Sequence, residues 1–545
     1  MKRCPQCGRD YNDPTLSFCL DDGAELLYGP ASRGEPQTAI LPDGGGTTES
    51  PARTLEPAEA EATKRYADQV GKAPLRKGMI VAGIVGALLV AALGIGGYWF
   101  YIGGSSDRID SIAVMPFVNE SGNEDVEYLS DGMTETLINS LTEIPNLSVK
   151  ARSTVFYYKG KNATPKQIGD ELKVEAVLLG RIVQRGQDLK LSLELVDTQS
   201  LDAIWSETYD RTMSDLVSLQ SEVARTVSDK LRLKLTPAEQ KQVAKTYTTN
   251  SEAQRLYLKG RFYWNKRATD NFEKAEEYFK QAIEKDPNYA LAYTGLADTY
   301  ALILQYGDFR PKDYYPRAKL AAQKALELDD QLAEAHNSLA NIFQTFEYDQ
   351  ANAEKEYKRA IELNPNYSSA RHWYGEFLSI RGEHDRALAE VGLALKHDPF
   401  SRVINRSFGY TLYAGEKYDE AIEQLKKSTK LFPDDSWGHV YLGDTYAAKG
   451  DHELAVVELL TYLRLEGKSA AALQDDRSAY VRNWRIAQMY AGVGNKDKAI
   501  EYLKEAIDEH EPDVIYVPTA HYYDFMRDDP QFVELMKRVG LRVNN

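Results

Sequence analysis

Apolar residues in the carboxyl-terminal half of the chain recur at helical spacing, and the pattern itself repeats. Segments such as YDEAIEQLKKS and KDKAIEYLKEAI place apolar residues three and four positions apart, which is typical of amphipathic helices. Pro365, Pro399 and Pro433 each follow such a helix and lie 34 residues apart. The pattern therefore predicts a series of similar helix pairs.

Small residues recur with the same interval. Gly375, Gly409 and Gly443 share one position of the repeat, and Ala387 and Ala421 share another. A 34-residue helix–turn–helix unit is the signature of the tetratricopeptide repeat, which this segment resembles. The predicted solenoid spans residues 245–541 and ends in a polar capping helix at Tyr523–Leu541. Its predicted copies are 256–289, 290–332, 334–367, 368–401, 402–435, 436–469 and 480–513.

Residues 108–235 alternate between strand and helix patterns. Alternating or continuous apolar runs predict the strands, and apolar residues at helical spacing predict the helices. The predicted strands are 111–117, 147–153, 176–185, 189–197 and 203–211. The predicted helices are 129–142, 165–173 and 214–233. This order predicts a mixed sheet with helices packed on it, an α/β domain.

The words IAVMPF, YLSDGMTETLINSL, LKVEAVLLGRI and WSETYDR in this block are similar to the TolB-like amino-terminal domain. The resemblance implies a domain that commonly precedes a tetratricopeptide array. In relatives it often follows a transmembrane helix, which in turn follows a kinase, a cyclase or a winged-helix DNA-binding domain. The region before residue 108 carries none of these modules.

An uncharged apolar run, Met79–Ile102, predicts one transmembrane helix over residues 78–103. Its 24 residues would be about 36 Å long as a helix, enough to span a bilayer. Cations such as Lys64, Arg76 and Lys77 lie on its amino-terminal side, so the positive-inside rule predicts residues 1–77 in the cytoplasm. The predicted localisation is the bacterial inner membrane, single-pass, with residues 104–545 in the periplasm.

Small residues in this run, Gly78, Ala82 and Gly86, recur at intervals of four. Such a stripe would let two copies of the helix pack as a homodimer. The ordinary glycine and alanine content of a membrane helix explains it equally well.

The three cysteines of the chain all lie in the first 19 residues. Two pairs of positions, Cys4 with Cys7 and Cys19 with Asp22, have the spacing of a tetrahedral Zn²⁺ site. Residues 1–26 resemble the short zinc-ribbon heads of bacterial membrane and signalling proteins, which implies a structural zinc ion. The alternative is a degenerate ribbon that has lost its metal, since Asp22 replaces a cysteine. Residues 27–77, rich in Pro, Gly, Ser and Thr, predict a disordered linker.

Charge and motifs narrow the function. The net charge of −16 argues against nucleic-acid binding. All eight histidines fall in the repeats, and the sequence has no HExxH, Gly-x-Ser-x-Gly or Walker motif. The sequence therefore predicts a binding protein and not an enzyme.

The first helix of each repeat is expected to line a concave groove, and aromatic residues with scattered charge suit a protein or peptide partner. Packing between repeats is the alternative role for each single position. The predicted groove residues are Tyr257, Trp264, Arg267, Asp298, His372, Glu376, Arg406, Tyr410, Tyr413, Trp437, Asp444, Trp484 and Gln488.

Together these features predict a multidomain chain: a zinc ribbon, one transmembrane helix, a TolB-like α/β domain and an all-α tetratricopeptide solenoid. The predicted function is a membrane-anchored scaffold that binds protein or peptide partners. The alternative is a transmembrane signalling or regulatory protein, either a sensor or a transcription regulator without its winged-helix domain.

Overall fold

The computed structural model describes residues 108–542, with gaps at 234, 307–308, 466–482 and 493, and three short strands nearer the amino terminus. The chain divides into two compact units, residues 1–101 and residues 102–545. In the first unit β1 (Lys2–Arg3) pairs antiparallel with β2 (Asp10–Tyr11) and β3 (Leu27–Tyr28). Apart from Leu27–Tyr28 in β3, the predicted linker lies outside the described residues. The predicted zinc ligands Cys4, Cys7, Cys19 and Asp22 lie outside them as well.

The predicted membrane helix, residues 78–103, also lies outside the described residues. No helix that the structure describes is long and apolar enough to cross a membrane. The longest of these helices, Pro311–Leu328, has 18 residues and carries charges such as Lys319, whereas a span needs about 20 predominantly apolar residues. This finding contradicts the predicted localisation in the inner membrane with a periplasmic carboxyl-terminal part.

The second unit begins with a small α/β domain, as the sequence pattern predicts. Its strands are β4 (Ser111–Val114), β5 (Val118–Asn119), β6 (Ser148–Val149), β7 (Ala176–Arg185), β8 (Asp188–Asp197) and β9 (Ala203–Thr212). The strand order is β6-β4-β7-β8-β9, with β5 also paired to β7. The sheet is mixed, because β4 runs parallel to β6 and β7, whereas β8 pairs antiparallel with β7 and β9.

The helices of this domain are α1 (Glu127–Thr142), α2 (Arg152–Phe156), α3 (Pro165–Leu172), α4 (Leu216–Lys230) and α5 (Pro237–Val243). Thr164 caps α3 and Thr236 caps α5, each in a capping box followed by proline. Short 3₁₀ turns lie at Glu124–Val126 and Met213–Asp215.

The second strand is much shorter than predicted. Pairing stops at Val149, and helix α2 begins three residues later, at Arg152. Ser153 and Thr154 of α2 both donate to the carboxylate of Asp398, far along the chain. These tertiary hydrogen bonds replace the strand pairing that the apolar pattern of residues 147–153 predicts.

A helical solenoid follows, and it confirms the predicted series of helix pairs. The pairs are α6 (Ser251–Trp264) with α7 (Thr269–Lys285), α8 (Ala290–Leu302) with α9 (Pro311–Leu328), α10 (Ala333–Thr345) with α11 (Gln350–Leu363), α12 (Ser368–Ile380) with α13 (His384–His397), α14 (Arg402–Ala414) with α15 (Tyr418–Leu431), α16 (Ser436–Lys449) with α17 (His452–Leu465), and α18 (Asn483–Gly492) with α19 (Lys496–Asp508). Turns of 3₁₀ helix at Ile303–Gln305, Pro512–Thr519 and His521–Met526 and a last helix, α20 (Pro530–Arg538), complete it.

The α/β domain and the early repeats share one hydrophobic core. That core runs from Ile112 in β4 through Leu258 in α6 to Ile342 in α10. The two parts therefore form one structural body.

Helix pair α18–α19 departs from the regular stack. Up to α16–α17, the second helix of each pair packs against the first helix of the next pair, as α15 does against α16. In contrast, Ala487 and Leu503 of the α18–α19 pair share a core with Val514, Phe532 and Tyr348. The last pair therefore folds back toward the third pair of the solenoid.

Candidate partner-binding groove

The inner surface of the solenoid is formed by the first helices of the pairs. Helices α6, α8, α10, α12, α14 and α16 pack against one another in sequence, whereas the second helices lie farther apart. This difference makes the first helices the concave side of the stack. We call this inner surface the groove.

The α/β domain lies against one end of the groove. Helix α1 packs on α6, and the carboxylate of Glu135 accepts from Arg261 Nε at 2.8 Å and from Asn265 at 2.8 Å. Arg152 adds an ion pair with Glu135 at 3.0 Å. Burial opposes ionisation of Glu135, but Arg261 and Arg152 hold the pKa of this carboxyl below its usual value. Glu135 therefore stays ionised and connects the α/β domain to the solenoid through hydrogen bonds and ion pairs.

The charged contacts continue along the groove. Arg261 Nη1 lies 3.6 Å from Asp298 Oδ2 in α8, and Ser338 in α10 donates to the same carboxylate. Burial raises the pKa of Asp298, although Arg261 opposes that shift. The inner faces of the first three pairs are thus joined by a polar chain.

The turns between repeats also hold the α/β domain. Asn366, beside Pro365, donates to the carbonyl oxygens of Thr142 and Leu147, each at 3.1 Å. Phe400, beside Pro399, stacks on Tyr157 with ring centroids 4.4 Å apart. In the sequence, the neighbouring prolines mark only the ends of helices. The contacts of Asn366 and Phe400 with the α/β domain become visible only in the fold.

A cavity of about 60 Å³ lies where the α/β domain, the connecting segment and the first repeats meet. Glu143 and Glu334 line it together with Lys245 and Tyr247. Burial first, and then the nearby Glu334 carboxylate, raise the pKa of Glu143 to about 8. Glu143 is therefore largely protonated at neutral pH.

The last part of the chain enters the groove. The segment 512–526, which we call the C-terminal segment, contacts α10 and α12 through its first 3₁₀ turn. Tyr410 of α14 hydrogen-bonds Thr519 through their hydroxyl groups at 2.7 Å, and its ring meets Tyr516 edge to face at 5.9 Å. The middle of the groove therefore holds a segment of its own chain.

Residues just before this segment fix its position. His510 Nδ1 lies 2.6 Å from the carbonyl oxygen of Phe346, and its ring stacks on Tyr348. The Tyr348 hydroxyl donates to the carbonyl oxygen of Glu511 at 3.1 Å. Glu511 itself is fully buried and accepts from the backbone N–H of Trp484 at 2.9 Å. The fold-back of α18–α19 is thus held by specific polar contacts.

The predicted groove residues of α6 form one group. Tyr257 is buried against Tyr289, with ring centroids 5.2 Å apart. Trp264 is also buried, and its ring carries the guanidinium groups of Arg261 at 4.2 Å and Arg267 at 3.7 Å. Arg267 follows the helix with φ of 52° and is exposed. At this end of the groove, the Arg267 cation therefore lies on the aromatic face of Trp264.

In the middle of the groove the predicted charged residues have partners within the fold. His372 is buried with Nε2 3.2 Å from Glu376 Oε1, and Glu376 accepts from Ser407 at 2.7 Å. Arg406 Nη1 lies 2.8 Å from the buried carboxylate of Asp435. These contacts tie neighbouring repeats together.

The remaining predicted residues lie toward the other end. Tyr413 is buried near Tyr418, whereas Trp437 and Asp444 of α16 are half-buried. Trp484 and Gln488 of α18 are half-buried too, but they belong to the pair that leaves the stack. The structure therefore does not bring all the predicted residues onto one continuous surface.

Three residues of the groove are absent from the predicted set. Arg261 lies one helical turn after Tyr257, so the same helical register could have identified it. Tyr441 of α16 meets Tyr410 at 5.1 Å. Tyr516 comes from a segment without repeat periodicity, and no sequence signal places it in the groove.

Several buried polar atoms of these helices have no hydrogen-bond partner among the described residues, including the side-chain oxygen of Asn337 and the indole N–H of Trp264. In the described part of the chain, no group of three or more His, Cys, Asp or Glu side chains could hold a metal ion. The zinc site at Cys4, Cys7, Cys19 and Asp22 stays a prediction.

Comparison with known families agrees with the solenoid and adds a relationship for the α/β domain. Tetratricopeptide repeat models match residues 253–289, 356–389, 409–450 and 482–509. The model of the second domain of HilA/YgeH-like transcriptional regulators matches residues 107–226. The chain therefore contains tetratricopeptide repeats, a fold that provides a scaffold for protein interactions.

Among curated proteins, the chain is 33% identical to putative adenylate cyclase 3 of Rhizobium meliloti over 236 residues, which cover 42% of this chain and 39% of the relative. It is 24% identical to the transcriptional regulator HilA of Salmonella typhimurium over 260 residues, covering 47% and 46%. The chain thus spans less than half the length of these relatives. A solved structure of Pseudomonas aeruginosa PilF is 21% identical, with 44% of this chain and 97% of that one covered and a TM-score of 0.29.

Proposed function

We propose that this protein is a scaffold that binds a partner protein by holding a peptide segment of it in the groove. The observation that carries the proposal is the C-terminal segment, which already lies against α10, α12 and α14. A surface that holds one stretch of chain through aromatic rings and hydroxyl groups has the chemistry to hold another.

The two ends of the groove are the sites proposed for the partner. At one end Arg267, which is an exposed residue, places its guanidinium over the face of Trp264. At the other end Trp437 and Asp444 are half-buried beside Tyr441. A cation, an acid and large aromatic surfaces favour a partner segment of mixed charge with apolar anchors.

The α/β domain is proposed as part of the same binding module. It shares a hydrophobic core with the first repeats, so it cannot leave the solenoid without exposing apolar surface. Relatives of the chain bear names that denote different activities, a cyclase and a transcriptional regulator. Such variety is easier to reconcile with a shared binding module than with a shared catalytic site.

Affinity capture with the full chain as bait tests this proposal. We compare the wild type with Arg267→Glu and Trp437→Ala, whose side chains lie at the two ends of the groove. Each variant is expected to lose at least tenfold of the captured partner, because hot-spot aromatic and arginine residues dominate such interfaces. Charge reversal at Arg406 or Glu376 is not used, because both residues have partners within the fold.

Leu320→Ala is the matched control, since Leu320 is exposed on α9, a second helix of the solenoid. It should capture as much partner as the wild type. Equal capture by Arg267→Glu, Trp437→Ala and the wild type would mean that the groove is not the binding surface.

A regulatory protein is the second candidate, favoured by the match of residues 107–226 to a domain of HilA/YgeH-like regulators. Electrophoretic mobility shift with the full chain and genomic DNA fragments separates the two. The net charge of −16 leads us to expect no salt-sensitive shift. A specific shift that weakens with salt would favour the regulator.

A further inference from the structure

Helix α17 exposes an unusual amount of apolar surface. Five aliphatic side chains on it are between 46% and 55% exposed: Leu454, Val456, Val457, Leu459 and Leu460. Of these, Val456, Val457 and Leu460 share one side of the helix. On the opposite side, Glu458 accepts from His439 of α16 at 2.6 Å. An apolar patch of this size usually marks an interface.

Comparison between repeats shows how α17 differs from the other second helices. Tyr357, Val391, Leu425 and Leu459 are spaced by 34 residues and occupy the same position of four consecutive repeats. The first three are 0% exposed, whereas Leu459 is 52% exposed.

Among the residues that the structure describes, no first helix follows α17 at this position. Tyr357 is covered by Phe377 of α12 at 5.7 Å, and Leu425 packs with Leu442 and Tyr446 of α16. The pair α18–α19 would be next in order, but it shares its core with the C-terminal segment and Tyr348. In the described part of the chain, the stack therefore ends at α17 with an apolar face.

The outward face of α17 is self-complementary. Glu453, Val457, Leu460 and Arg464 follow one another three or four residues apart, so they form one stripe. Glu453 and Arg464 are both exposed. When a second α17 is laid antiparallel about a two-fold axis between residues 458 and 459, Glu453 lies opposite Arg464 and Val457 lies opposite Leu460.

We propose that α17 is the interface between two copies of this chain, packed antiparallel about that axis. The arrangement buries the aliphatic face of both helices and forms two identical ion pairs, as an isologous contact requires. It also opposes the two helix dipoles. The dimer carries two grooves.

Sedimentation velocity of the full chain tests the apolar part of this interface. The wild type should sediment as a dimer at micromolar concentration, and Leu460→Glu should weaken the dimer at least tenfold. Leu320→Glu places the same charge at an isolated exposed leucine on α9 and should leave the dimer intact. A monomeric wild type, or a dimer indifferent to Leu460→Glu, would overturn the proposal and leave the face to another segment or another protein.

Two charge variants test the antiparallel register. Glu453→Arg alone sets arginine against arginine twice in its own dimer, and Arg464→Glu alone sets glutamate against glutamate twice. Each variant should therefore sediment mainly as a monomer. An equimolar mixture should form a one-to-one dimer, because every pair across the axis is then opposite in charge.

The mixture also guards against a folding defect, since an unfolded variant could not be rescued by its counterpart. Failure of the mixture to dimerise, while Leu460→Glu still abolishes the wild-type dimer, would overturn the antiparallel register. The thermal melting of each variant is followed by circular dichroism.

Discussion

Single buried charges hold the α/β domain on the solenoid. Glu135 belongs to α1, yet its partners Arg261 and Asn265 lie in and just after α6. Removing one member of such a cluster leaves the other charges buried without compensation, which costs more than the intact cluster contributes.

We therefore predict that Glu135→Gln lowers the free energy of unfolding by about 3 kcal/mol at neutral pH. Because the pKa of Glu135 is lowered in the folded state, its contribution is present above the unfolded value and lost as the pH falls through the folded value. The difference in the free energy of unfolding between the variant and the wild type should become smaller at acidic pH. Urea unfolding at several pH values measures it, and Glu501→Gln, at an exposed ion pair with Lys498, should change nothing.

Glu143 predicts the opposite pH dependence. Its folded-state pKa is raised to about 8, so folding takes up a proton and stability falls as the pH rises from the unfolded value toward 8. Glu143→Gln removes that loss. The variant should melt several degrees above the wild type at pH 9 and close to it at pH 4. A variant that is no more stable than the wild type at pH 9 would show that Glu143 is ionised without cost.

Two of the predicted groove residues, Glu376 and Arg406, have partners within the fold that the sequence does not reveal. The repeat register correctly placed Glu376 and Arg406 on first helices. It could not reveal that Ser407 and Asp435 in neighbouring elements bind them. Those partners depend on how repeats are rotated against one another, which sequence spacing does not specify.

At the scale of elements, glycine sets the distance between the helices of a pair. A Cβ atom on Gly375 of α12 would lie 2.4 Å from Val391 Cγ2 and 3.2 Å from the carbonyl oxygen of Ala387. Gly392 of α13 has only Phe408 nearby, at 3.9 Å. The two glycines are alike in secondary structure but differ in packing.

We predict that Gly375→Ala destabilises the protein by about 1–3 kcal/mol, because α12 and α13 must separate. Gly392→Ala is the control and should be neutral or stabilising by up to about 1 kcal/mol, since alanine favours the helix. Urea unfolding of both variants and the wild type measures the two changes in the free energy of unfolding. Equal effects would mean that close helix approach does not matter at Gly375.

The break after α17 is also a property of elements. The sequence predicts a copy at 480–513, and the helix pair α18–α19 is present there. Where that pair docks depends on competition between the face of α17 and the core around Val514 and Phe532. Helical periodicity identifies an apolar face but not the surface that will cover it.

At the scale of the whole molecule, the C-terminal segment occupies the groove, and helix α20, within the predicted capping segment, packs on α19. We predict that Tyr516→Ala loosens this segment, because Tyr516 loses its contact with Tyr410. Hydrogen exchange over residues 512–526 should become faster, and partner binding should strengthen as the groove opens. Phe525→Ala is the control, since Phe525 belongs to the same segment but is exposed.

Unchanged exchange in Tyr516→Ala would show that the segment is held by other contacts, such as those of His510 with Phe346. Faster exchange without stronger partner binding would place the partner away from the middle of the groove.

The sequence by itself determined the repeated helix pairs, the mixed α/β domain and the positions of the small residues within the repeats. Local periodicity and steric fit dictate these features, and both are written in residues a few positions apart. Only the tertiary structure decided that Asp398 and Asn366 bind the α/β domain, that the last pair leaves the stack, and that Tyr516 lies against Tyr410. These contacts join residues more than a hundred positions apart, and their free energy depends on which surfaces compete for burial when the whole chain folds.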